Sequence, residues 1–307
     1  MDRIYQNPGL MKHVKALVIN AFSDGGRGGN PAGLVLDADQ LSTEQKLHIA
    51  AQVGLSETAF VSASEIAELK LEFFTPTRQI AHCGHATIAA FSYLKQTGRI
   101  TGNTSSKETI DGIRNIYYEG EPAFMEQTAP IFRSLELADQ GLALSALGLK
   151  KEDLLPGYRP EIVHTGNAFL IIAVRSEKLL KTLNPDLNLI SQLSEKYGLI
   201  GLYPYTPASE SGFAAVSRMF APFYGIPEEA ATGMAAGPLA AYLDRYESGP
   251  QAMFTIRQGS FMQPPSPSKI LVRLEREGAL IRRIFAGGTA FADRQLIIPV
   301  PESLTAN

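Results

Sequence analysis

A chain of 307 residues with a net charge of −3 is long enough for two cores and has no basic excess suited to a nucleic-acid backbone. Its 45% hydrophobic and 19% charged residues are ordinary for a globular fold, and its single cysteine excludes an intrachain disulfide. The longest clear apolar run, residues 168–174, is far too short to span a bilayer and reads as a buried strand. No early stretch has the apolar centre of a signal peptide, so the expectation is a cytoplasmic protein with no membrane or nucleic-acid partner.

In chain order, residues 1–13 read as a loose tail and 16–22 as a strand. The glycine-dense segment 23–33 is followed by more strand and no helix, so it is a strand-to-strand loop, either a mobile turn or one that lines a site. Ser42 with Gln45 three residues on forms a capping box for a helix to about Val53, with Leu47, Ile49, Ala50 and Val53 inward and Gly54 as its stop. Residues 55–61 enter a strand and carry Glu57 in a short polar patch; by position alone it is either a solvated loop residue or a functional carboxylate. Residues 69–74 are a further strand.

The stretch 74–94 organises the chain. It reads as a strand end, a short loop, then a helix starting near Gly84 with Ile88, Ala89, Phe91 and Leu94 inward. A helix start presents unpaired N–H groups and the positive end of the helix dipole, which suits an anion. Cys83, His82 and His85 stand beside it.

Beyond it, 108–119 and 123–127 read as strands, 128–132 as a crossover and 139–148 as a helix. Two strand pieces lie in 161–174, broken at Gly166. Helices at 176–183 and 186–197 and strands at 199–203 and 214–220 follow. A second helix starts at Gly233. The strands 252–258, 269–275, 280–285 and 291–298 lead to a polar tail, 299–307. Strands outnumber helices without alternating strictly with them, so this is an α/β (α+β) chain that fits a doubly wound parallel sheet poorly.

Gly233 repeats the pattern at Gly84. Phe74-Thr75-Pro76 aligns with Phe220-Ala221-Pro222, Ala86 with Ala235, Tyr93 with Tyr242 and Leu94 with Leu243. The repeat implies a duplication whose two helix starts open on one cleft, a geometry suited to a small carboxylate. Pro238 should bend the second helix or delay its start.

The segments G-N-P-A-G-L-V-L-D-A-D (29–39), L-S-E-T-A-F-V (55–61), F-F-T-P (73–76), C-G-H-A-T (83–87), S-R-M-F-A-P-x-Y-G-I (217–226), A-A-T-G-M-A-A-G-P-L-A (230–240) and R-Q-G (257–259) run in order through nearly the whole chain. Together they resemble the PhzF family of phenazine-biosynthesis-like isomerases. The resemblance implies the diaminopimelate-epimerase-like fold: two pseudo-symmetric domains, each a mostly antiparallel curled sheet around a central helix. The domains expected are 14–128, with 291–298 returning to it, and 129–290. It also implies a cofactor-free and metal-free site in the interdomain cleft of a homodimer.

Carried over, Glu57 is the catalytic acid/base that moves a proton on a small cyclic carboxylate, with His85 as its catalytic neighbour. Asn30, Gly84, Glu229, Thr232, Gly233 and Met234 are the substrate-binding set. A carboxylate shuttles a proton best when partial burial raises its pKa, and Leu55, Ala59 and Phe60 are apolar neighbours of Glu57. The chain departs from the family where the phenazine enzyme has an aspartate, here Glu229, and a serine, here Met234. Met for Ser removes a hydroxyl, so the substrate is expected to differ from the phenazine intermediate.

Two alternatives accompany this reading. In the first, Cys83 and Thr232 match the thiol positions of the cysteine epimerases and their hydroxyproline-dehydrating relatives, with Cys83 catalytic. In the second, the chain is a small-molecule-binding protein that kept the cleft and lost the chemistry.

Overall fold

The computed structural model describes residues 11–247 and 251–302. The first half contains β1 (Met11–Ala21), β2 (Asn30–Val35), α1 (Thr43–Val53), β3 (Thr58–Ser62), β4 (Leu69–Phe74), β5 (Gln79–Ile80), α2 (Gly84–Gln96), β6 (Thr104–Thr109), β7 (Gly112–Tyr118) and β8 (Ala123–Gln127). The second contains β9 (Ile131–Ser134), α3 (Leu137–Ser145), β10 (Glu161–His164), β11 (Ala168–Ala173), α4 (Glu177–Lys181), α5 (Leu187–Tyr197) and β12 (Gly201–Pro207). It continues with β13 (Ala215–Ser217), α6 (Gly233–Tyr246), β14 (Met253–Gln258), β15 (Ser268–Glu277) and β16 (Leu280–Gly288), after which β17 (Ala290–Pro301) crosses back.

Hydrogen-bonded neighbours run β17-β1-β2-β3-β4-β6-β7-β8 in the first half and β9-β10-β11-β12-β13-β14-β15-β16 in the second. The two runs share one pattern of directions. Only their third and fifth pairings are parallel: β2–β3 and β4–β6 in one, β11–β12 and β13–β14 in the other. In both, the parallel crossovers carry helices: α1 and α2 in the first half, α4, α5 and α6 in the second, with α3 added between the antiparallel β9 and β10. Pairing of β8 with β16 joins the runs edge to edge. The last strand therefore supplies in the first half the place that β9 fills in the second.

Burial explains why each half closes around one helix. α2 and α6 are apolar or small on nearly all sides and are buried from Ala86 to Phe91 and from Ala235 to Leu243. Such a helix needs partners all round, and the curled sheets provide them. Where a sheet is covered on its second face too, its strands lose their alternation. β11, Ala-Phe-Leu-Ile-Ile-Ala, is buried throughout, because the α3–α5 layer packs on its outer side. β15 alternates buried and half-buried residues, the period of two expected of a strand covered mainly on one face. α1 covers the outer face of the first half against Ala16, Phe60, Phe74 and Ile298.

The Ser42–Gln45 capping box forms as expected, and Gly54 ends α1. Four readings change. Residues 108–119 are not one strand: Ile110 and Asp111 turn the chain between β6 and β7. Residues 11–13 and 299–301 are not tail; they pair with each other as the outer ends of β1 and β17, while 1–10 and 303–307 lie outside the described residues. The crossover 128–132 already enters β9, because its edge pairs with β10. Pro238 does not delay α6. The helix starts at Gly233, with Ala235 and Ala236 both donating to the Thr232 carbonyl (3.0 and 3.1 Å). Burial of Ala235–Leu243 on all sides holds the helix together through the lost bond.

Candidate active site

The two central helices start against one another. A Cβ added at Gly84 would meet Met234 Cγ at 3.7 Å, and one at Gly233 would meet Phe22 Cζ at 3.0 Å. Cys83 and Thr232 occupy the two N-cap positions, and neither side chain caps its helix. The first N–H groups are thus left to be satisfied by something else. A cavity of about 610 Å³ reaches both helix starts, with Gly84, Gly233, Met234, His82, Arg114 and Asn167 in its wall.

Four acidic and basic groups converge beside these starts. His85, in the first turn of α2, is buried. Its Nε2 lies 3.3 Å from Glu57 Oε2 and its Nδ1 lies 3.7 Å from Glu229 Oε1. Cys83 Sγ is 3.5 Å from the same Nδ1. Glu57 enters from the turn between α1 and β3, and its carbonyl accepts from Gly33 N at 2.9 Å, which ties that turn to β2. His85 Nε2 and Glu57 Oε2 are both buried and have no aligned hydrogen-bond partner, so the pair is the one place in the cluster where capacity is left over.

Electrostatics follow from this crowding. Burial disfavours a charged imidazole, but the Cys83 sulfur and the carboxylates of Glu57 and Glu229 outweigh it and push His85 up to about 10. Burial pushes the Glu229 carboxyl up, against the pull of His85 and the hydrogen bonds of Thr232 and Asn30. At neutral pH the ring is an imidazolium, a donor at both nitrogens.

Glu229 is held tightly. Asn30 Nδ2 donates to its Oε1 (2.9 Å) and to the Ala231 carbonyl (3.0 Å), and the Thr232 hydroxyl donates to its Oε2. The sequence reading missed the support beneath. Gln258, in the R-Q-G segment, is fully buried and accepts from Thr232 N at 3.1 Å. It donates to the Glu229 carbonyl at 2.7 Å and to Thr232 Oγ1 at 3.1 Å. Tyr203 donates to Gln258 Oε1 at 2.8 Å and is itself held by Ser217.

Asn167 was also missed, although the sequence carries its signal. Gly29-Asn30 opens β2 and Gly166-Asn167 opens the equivalent strand β11, with φ of 87° and 106° at the two glycines, where a side chain would be strained. The structure brings all the expected residues to one place: Asn30, Glu57, Cys83, Gly84, His85, Glu229, Thr232, Gly233 and Met234. It divides them, however, because Gly84, Gly233 and Met234 line the cavity while Glu57, His85 and Glu229 lie outside its wall. Glu57, Cys83 and His85 each bring a metal-type donor atom within 4.8 Å of the others. Groups of these types can also exchange a proton.

Among the described residues no helix is long and apolar enough to cross a membrane. The phenazine biosynthesis-like protein family (PhzC-PhzF) matches residues 19–294. An uncharacterised isomerase of Deinococcus radiodurans is 34% identical over 287 residues, covering 88% of this chain and 90% of its own. The trans-2,3-dihydro-3-hydroxyanthranilate isomerase of Pseudomonas chlororaphis is 30% identical over 279 residues, covering 89% and 94%. A Bacillus anthracis PhzF-family crystal structure superposes with a TM-score of 0.85 at 26% identity, covering 94% of this chain and 99% of that one.

Proposed function

The chain belongs to the phenazine biosynthesis-like (PhzC-PhzF) family of isomerases and has the diaminopimelate-epimerase-like fold. From that premise we propose that it moves a proton on a small cyclic carboxylate bound in the cleft between two domains, 14–128 with 291–298 and 129–290, without a cofactor. The observation that supports this reading best is the buried Glu57–His85 pair, 3.3 Å apart and short of partners, next to two helix starts left uncapped by side chains.

In this mechanism the substrate carboxylate lies on the helix starts at Gly84 and Gly233. Fixed N–H donors there stabilise the charge that spreads onto the substrate when its C–H bond breaks. Glu57 takes the proton from carbon, and the C–H electron pair moves into the conjugated system. The same carboxyl returns the proton to a different carbon, so the reaction is an isomerisation with no net gain or loss of atoms. His85, as imidazolium, holds Glu57 in place through Nε2 and faces Glu229 through Nδ1. Glu229, oriented by Asn30, Thr232 and Gln258, completes the polar wall.

A second reading rests on Cys83 Sγ at 3.5 Å from His85 Nδ1, where the sulfur would be the group that exchanges a proton with substrate, with Thr232 at the partner position. One experiment separates the two. Incubation with small cyclic carboxylates in D₂O, followed by NMR, should show C–H exchange that Glu57→Gln abolishes and Cys83→Ser retains. The reverse pattern transfers the role to Cys83. The family resemblance also supports a homodimer, which light scattering on the purified chain would test.

A further inference from the structure

Behind the start of α2 lies a charged group that this chemistry does not use. Lys107, on β6, is fully buried. Its Nζ donates to Thr87 Oγ1 at 2.6 Å, reaches His82 Nδ1 at 3.4 Å and stands 5.0 Å from the centre of the Phe73 ring. The Thr87 hydroxyl passes the chain on, donating to the Cys83 carbonyl at 2.6 Å. This lysine therefore spends its hydrogen bonds on neutral partners, and one of them is a ring that lines the 610 Å³ cavity.

Burial pushes Lys107 down to about 7, so below that pH its Nζ is an ammonium, which has donors and no acceptor. Its contact with His82 Nδ1 requires the lone pair at that nitrogen, which leaves the ring proton on Nε2. Phe73 packs edge-on at 6.3 Å and limits the ring's freedom to turn. The ring is also neutral, since burial, with Lys107 and Arg114 nearby, pushes His82 down to about 3. His82, a residue of the cavity wall, thus keeps one uncharged N–H, at Nε2. Arg114, Asp111 and Glu126 share the wall, so its acidic groups outnumber its single arginine and a second anionic group on the ligand is disfavoured. A neutral oxygen is the partner that fits.

We propose that His82 is a specificity-determining residue, whose Nε2–H, fixed by the contact of Lys107 with Nδ1, donates a hydrogen bond to a neutral oxygen of the substrate. The ligand class is then a small cyclic carboxylate that also carries a carbonyl or hydroxyl oxygen. This rests on the cavity being the substrate site.

Long-range ¹H–¹⁵N spectra of the 307-residue chain at about pH 6, where Lys107 is an ammonium and His82 is still neutral, should show His82 with Nε2 protonated and Nδ1 bare. Lys107→Met should release the ring into a mixture of tautomers, a change that a merely structural lysine would not produce. A wild-type ring protonated on Nδ1 overturns the proposal. Calorimetry with cyclohexanecarboxylate and 3-oxocyclohexanecarboxylate should show the keto compound bound about fivefold more tightly, the effect of one added hydrogen bond. His82→Phe should erase that preference and His82→Gln, which keeps an N–H donor, should retain part of it. If both compounds bind wild type equally, the proposal falls and the carboxylate site stands. If neither binds, both fall.

Discussion

Asn30 and Asn167 open equivalent strands in the two halves, yet their side-chain amides meet unlike acceptors. Asn30 donates to the Glu229 carboxylate at 2.9 Å; Asn167 Nδ2 faces the Met234 sulfur at 3.3 Å. A thioether is a weak acceptor. The strand pattern is therefore shared by the two halves and the chemistry at this pair is not.

Met234 should consequently act as a selectivity filter. Replacing it with serine removes the thioether from the helix start, restores a hydroxyl and frees Asn167. We expect Met234→Ser to raise kcat/KM on trans-2,3-dihydro-3-hydroxyanthranilate by roughly 10–100-fold over wild type, the factor that a hydrogen bond to a charged substrate group, about 1.5–3 kcal/mol, corresponds to. An unchanged rate would show that discrimination lies elsewhere in the cleft.

The two helix glycines should respond with opposite sign. Gly84→Ala meets only an ordinary contact at 3.7 Å, and alanine suits a helix better than glycine, so stability should rise by about 0.5–1 kcal/mol. Gly233→Ala drives a methyl to 3.0 Å from the Phe22 ring in a packed core and should cost about 1–2 kcal/mol. Denaturant melts of the two variants test this directly; equal changes would refute the asymmetry.

His85 is pushed up to about 10, so it is protonated through the neutral range and its charge is lost as pH rises through that value. C–H exchange should hold through neutral pH and fall on the alkaline side near 10. In His85→Gln the remaining exchange should be about 10²–10³-fold slower and lack that limb. The stability linked to this ring has the same sense: fully present below the ordinary histidine range and lost as pH rises through about 10.

Lys107 has the opposite linkage. Burial pushes it from 10.5 down to about 7, so the folded state binds fewer protons than the unfolded one between those values. Its stabilising share is fully present above about 10.5 and is lost as pH falls towards 7. Comparing unfolding of wild type and Lys107→Met across that window, the wild type should gain on the variant as pH rises, by up to about 1.4 kcal/mol per pH unit. A pH-independent difference would place the lysine in an environment much wetter than its complete burial implies.

Much of this could be read along the chain because it is local. The Ser42–Gln45 capping box, the helix starting at Gly84 and the repeat at Gly233 each depend on residues a few positions apart, and the structure has all three. The break at Ile110-Asp111 was missed, since β-rich residues on both sides mask a two-residue turn. The pairing of Met11–His13 with Pro299–Pro301 left no trace in either segment alone, because strand pairing is settled by distant partners.

What the sequence determined by itself was the family, the duplication and the identity of the groups that gather at the helix starts. Only the tertiary structure decided how those groups are used. His85 becomes an imidazolium because two carboxylates and a sulfur from three segments close around it in a buried place. Gln258 becomes the support of Glu229, and His82 a neutral donor, because β14 and β6 bring Gln258 and Lys107 beside them. Burial and proximity set charge and tautomer, and both are properties of the folded chain that no stretch of residues carries alone.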